Sequence, residues 1–68
     1  MAQMTLKAAR TNVGLTQKAA AKELEVSNKT LGEWEKGRSF PNADKIKRIL
    51  DVYKCSYDDI IFLPDNSL

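Results

Sequence analysis

Histidine is missing from the 68 residues, and the chain holds one cysteine, two prolines and three glycines. Each shortage excludes some chemistry. Without histidine there is no zinc site of the His/Cys kind and no Ser-His or Cys-His catalytic pair. Cys55 stands alone, so no intrachain disulfide can form, and it reads as a small apolar residue at a helix end. No Asp/Glu run has the spacing of a calcium loop, and no glycine-rich loop cradles phosphate. The expectation is a protein that is not an enzyme, with no metal, no cofactor and no small-molecule ligand. No apolar run approaches the roughly 20 residues that span a bilayer. The start M-A-Q-M-T-L-K-A-A-R lacks the long apolar segment and cleavage site of a signal peptide. A cytoplasmic protein without membrane contact is expected.

What is present fits one small domain, residues 1–68. A domain of about 60 residues buries only about 60% of its unfolded surface, and one core of this size supplies about 3–5 kcal/mol. A second subunit or a ligand would therefore matter to stability. The net charge of +2 is small, but it is unevenly spread: residues 1–38 hold seven basic and four acidic residues, and residues 39–68 hold four and five. The first part leans toward a polyanion, and the second does not.

Local signals divide the chain into five short helices, an all-α fold. Thr5 can cap the first, with Leu6, Ala9 and Val13 on its apolar face and Gly14 just past its end. Thr16 can cap the second, Q-K-A-A-A-K-E-L, with Ala20, Ala21 and Leu24 turned inward. Ser27 caps the third, where Leu31 and Trp34 form the buried stripe and Gly37 the stop. Asn42 caps the fourth, and Ile46, Ile49, Leu50 and Tyr53 follow amphipathic spacing. Ser56 with Asp59 resembles a capping box opening a short fifth helix through Ile60 and Ile61. With no sustained alternation in the sequence, extended structure is expected only in the tail, at Phe62-Leu63. The core is expected to gather Leu6, Val13, Leu15, Ala20, Leu24, Val26, Leu31, Trp34, Ile46, Ile49, Leu50, Tyr53 and Ile60.

Helices two and three, joined across Leu24-Glu25-Val26-Ser27, have the length and patterning of a helix-turn-helix over about residues 16–37, ahead of a C-terminal tail at 62–68. From Leu15 to Pro41 the pattern L-T-Q-x-x-x-A-x-x-L-x-V-S-x-x-T-L-x-x-W-E-x-G-x-x-x-P resembles the Cro and phage-repressor family of DNA-binding domains. Thr16-Gln17, Val26-Ser27, Trp34-Glu35-x-Gly37 and Pro41 carry the resemblance jointly. It implies a compact lambda-repressor-like domain. One position departs: the residue after Leu24 is often glycine in that family and is Glu25 here, at a spot that tends to need φ > 0.

Asn28, Lys29, Gly32, Glu33 and Lys36 share the face of the third helix opposite Leu31 and Trp34. With the resemblance, that face is expected to meet base edges in the major groove, through Asn28, Lys29 and Glu33: an Asn amide suits adenine, Lys guanine, and a Glu carboxylate cytosine N4. Phosphate contacts are expected from Gln17 at the start of helix two, from Lys36 and Arg38, and from Ser27, which competes with its own role as a cap. The resemblance further implies that Arg10 and Glu35 pair with each other as a structural salt bridge.

The expected function is a sequence-specific, double-stranded-DNA-binding transcriptional regulator of bacterial or phage type, a repressor on a palindromic operator. It would act as a homodimer, nucleoid-associated, with Tyr57, Ile61, Phe62 and Leu63 as candidates for the dimer surface. An antitoxin autoregulator or a restriction-modification controller would use the same domain. The alternative from another class is a protein-interaction module that keeps the fold without reading DNA.

Overall fold

The computed structural model describes residues 3–62. In chain order it holds β1 (Met4–Thr5), α1 (Leu6–Asn12), α2 (Gln17–Leu24), α3 (Asn28–Lys36), α4 (Ala43–Tyr53), a 3₁₀ turn (Tyr57–Asp59) and β2 (Ile60–Ile61). Every α-helix begins at a polar residue in extended conformation whose side-chain oxygen accepts a hydrogen bond from the third helical N–H. Thr5 accepts from Ala8, Thr16 from Ala19, Ser27 from Thr30 and Asn42 from Lys45, at 2.9–3.1 Å. Each such cap contributes about 1 kcal/mol, which matters for helices of 7 to 11 residues that are marginal alone.

The helices end in left-handed residues. Gly14 and Gly37 take φ of +77° and +79° without a Cβ penalty, but Glu25 (+58°) and Lys54 (+54°) do so at a cost. The core gathers Leu6, Ala9, Ala20, Ala21, Leu24, Leu31, Trp34, Ile49, Tyr53 and Ile60, with Val13, Leu15, Val26 and Leu50 half-buried around it. Ile46 is also only half-buried. Ala20 and Ala21 let the backbone of α2 lie close to its neighbours.

The C-terminal part departs from the five-helix expectation. Among the described residues there are four α-helices. Asp59 does accept from both the backbone N–H and the hydroxyl of Ser56, at 3.0 Å, but the turn this nucleates spans only three residues. Ile60 and Ile61 then run extended and pair in parallel with β1, Met4 opposite Ile60 and Thr5 opposite Ile61. Two adjacent β-branched residues favour strand, and the available partner lies at the far end of the chain. The tail expected at Phe62-Leu63 falls mostly outside the described residues; Phe62 itself follows β2.

Candidate nucleic-acid interface

The site is built around α2, the turn and α3. Glu25 closes α2 in the left-handed conformation, and Val26 N–H returns to Ala21 O at 3.0 Å. Two cations from α4 hold the end of α2 from outside. Lys45 Nζ donates to Leu24 O at 2.9 Å and Arg48 Nε to Glu23 O at 3.1 Å. Positive charge at a helix C-terminus is favourable and satisfies carbonyls that lack intrahelical partners. Arg48 also lies 4.0 Å from Glu25, but both are well exposed and that pair contributes little. The sequence reading missed this pair of donors. Its only trace is two cations three residues apart on the polar side of α4.

Beside the start of α2 lies a buried ion pair. Arg10 Nε donates to Glu35 Oε2 at 2.7 Å, and both side chains are under 10% exposed. Arg10 Nη2 reaches Glu35 Oε1 at 3.4 Å, and Nη1 donates to Leu15 O at 2.9 Å. The guanidinium thus ties α1 to α3 and to the loop before α2. Burial pushes the Tyr53 hydroxyl up to about 12; the nearby Glu35 carboxylate adds to the rise and Arg10 opposes it. That hydroxyl has no hydrogen-bond partner among the described residues.

From Glu35 a chain of amides runs outward. Gln17 Nε2 donates to Glu35 Oε1 at 3.1 Å, and Asn28 Nδ2 donates to Gln17 Oε1 at 3.1 Å. Gln17 therefore faces inward with its donor and outward with its acceptor, and among the described residues Asn28 keeps its carbonyl oxygen and one N–H uncommitted. Residues 11 and 18 apart in sequence show no such link in their spacing. Gly32 lies against this chain: a Cβ there would meet Gln17 Nε2 at 3.6 Å, an ordinary van der Waals contact. Lys7, Thr16, Gln17, Gly32 and Lys36, with the ion pair at the base, line an open groove of about 580 Å³.

Asn28 and Lys29 are exposed at the start of α3, Glu33 is half-buried, and Lys36 and Arg38 are exposed at and beyond its end. Ser27 Oγ accepts from Thr30 N–H and donates to Thr30 Oγ1 at 2.9 Å, so its one proton is used within the helix start. Tyr57 and Ile61 are 57% and 40% exposed, and the Tyr57 and Phe62 rings stand 5.8 Å apart. Leu63 lies outside the described residues. No helix among the described residues is long and apolar enough to cross a membrane, and they form no His/Cys/Asp/Glu cluster suited to a metal.

The family described as "Helix-turn-helix" matches residues 6–60. The HTH-type transcriptional activator BcrR of Enterococcus faecalis is 33% identical over 52 residues, which make up 76% of this chain and 26% of the relative. The HTH-type transcriptional regulator ImmR of Bacillus subtilis (strain 168) is 34% identical over 56 residues, 82% of this chain and 44% of the relative. The chain thus matches less than half the length of either relative.

Proposed function

The chain belongs to the helix-turn-helix family, and from that premise we propose that it is a DNA-binding transcriptional regulator, of the repressor type, that inserts α3 into the major groove. The observation that carries the reading is the chain of amides from Glu35 through Gln17 to Asn28. It holds a bidentate side chain ready at the exposed start of α3, anchored on a buried ion pair. Asn28 reads adenine, Lys29 guanine and Glu33 the amino group of cytosine. Lys36 and Arg38 neutralise phosphates, and Gln17 lies beside the free N–H groups at the start of α2, where a phosphate oxygen is favoured. Ser27 serves α3 as its cap, with its backbone rather than its hydroxyl proton left for a phosphate.

Two copies bind a palindromic operator, placing their α3 helices about 34 Å apart on half-sites one turn apart. The exposed Tyr57 and Ile61, with the half-buried Phe62 beside Tyr57, supply the apolar contact between copies. Such a regulator works in the cytoplasm, on the nucleoid. The relatives named as a transcriptional activator and a transcriptional regulator support the class of function. The test is selection of binding sites from a random duplex pool, followed by binding of the enriched site by Asn28→Ala. An enriched palindrome, with discrimination at one adenine position lost in the variant, is expected. Recovery of no enriched sequence would refute the reading.

A further inference from the structure

Phe40 is the most exposed large hydrophobic residue among those described, at 59%. Its exposure is imposed by an ordered loop. Gly37 N–H donates to Trp34 O at 3.2 Å and Arg38 N–H to Glu33 O at 3.0 Å, which closes α3 in a left-handed turn. Pro41 is buried one residue later, and Asn42 caps α4. The ring is thus held outward between two fixed points. The segment from Lys36 to Ala43 carries Lys36 and Arg38 and no acidic residue, so whatever meets Phe40 meets positive charge beside it.

Building on the reading of α3 as the recognition helix, we infer that Phe40 packs its ring on the deoxyribose face of the DNA strand flanking the groove, beside a phosphate held by Arg38. With its N-terminus at the bases, a nine-residue helix rises about 13 Å toward the strand at its C-terminal end. Arg38 and Phe40 stand just beyond that end. A phosphodiester strand offers alternating anionic and apolar surface, and an alternating cation and aromatic ring match it without reading sequence. Phe40 therefore adds affinity that is insensitive to both base sequence and salt, whereas Arg38 adds affinity through released counterions.

The experiment measures binding of a labelled, random-sequence duplex of about 20 base pairs, two helical turns, across a salt series. Wild type, Phe40→Ala, Phe40→Tyr and Arg38→Ala are compared. Phe40→Ala should weaken binding about tenfold at every salt concentration, with the log–log slope unchanged, and Phe40→Tyr should retain wild-type affinity. Arg38→Ala should reduce the slope by about 0.9. Because the ring is exposed, the melting temperature of Phe40→Ala should match wild type. Wild-type affinity in Phe40→Ala would overturn the inference while leaving the reading of α3 intact. A fall in sedimentation mass in Phe40→Ala would overturn it by assigning the ring to a contact between copies. Absence of duplex binding by wild type would overturn both.

Discussion

Replacing Arg10 with methionine removes the guanidinium but keeps most of its apolar stem. The structure specifies what is lost: two hydrogen bonds to Glu35, at 2.7 and 3.4 Å, and one to Leu15 O at 2.9 Å. Glu35, with a side chain only 6% exposed, is left with a single neutral donor, Gln17 Nε2. Truncating one partner of a buried pair costs about 3–5 kcal/mol, mostly because the remaining charge stays buried without compensation. A domain of this size has about that much stability in total, so Arg10→Met should be largely unfolded at 25 °C. Urea titration followed by the fluorescence of Trp34, itself buried, measures the effect. A second variant, Arg10→Met with Glu35→Leu, carries no orphan charge and should be more stable than Arg10→Met alone. A urea midpoint for Arg10→Met equal to wild type, or strictly additive losses in the double variant, would refute the reasoning.

Gly32→Ala should raise stability by a few tenths to 1 kcal/mol, since a helical glycine is replaced and the new Cβ meets Gln17 at ordinary contact distance. Operator affinity, by contrast, should fall in titrations of the selected site, because the added methyl stands on the face turned to the groove; unchanged affinity would show that the position merely tolerates glycine. Tyr53→Phe should be neutral or stabilising by about 1 kcal/mol at pH 7, because the buried hydroxyl has no partner to lose. The folded chain holds that proton up to about pH 12, against about 10 when unfolded, so the proton is bound more tightly in the folded state. The resulting stability is whole below pH 10 and is lost between 10 and 12. Urea midpoints over that range should fall more steeply in wild type than in Tyr53→Phe, and parallel curves would contradict the assignment.

How much of this was legible in the sequence depended on range. The caps at Thr5, Thr16, Ser27 and Asn42 could be read from single residues because a cap is made within four positions. The positive φ of Glu25 was expected from the family pattern, and so was the meeting of Arg10 with Glu35; spacing alone gives neither. What escaped was made across distance. Ile60 and Ile61 were read as helix because the capping box at Ser56 pointed forward, while the strand that pairs with them lies 56 positions away. Lys45 and Arg48 entered the sequence reading only as part of the charge balance, and their role at the end of α2 exists only once α4 is packed. The amides of Gln17 and Asn28 were each singled out as groups for DNA. Their bond to one another was not visible.

The pairing of β1 with β2 also bears on how the chain reaches its fold. The helices already pack across the sequence, α1 on α3 and α4 and α2 on α4, but this two-residue ladder closes a longer loop than any of those contacts, 56 positions. Loop-closure entropy makes such a contact late, after the helices have supplied the surface on which the ends meet. Weakening the ladder, as in Ile61→Gly, should therefore speed unfolding and leave the folding rate nearly unchanged in stopped-flow urea jumps. On this argument β1 and β2 set the native state's lifetime rather than seed its formation.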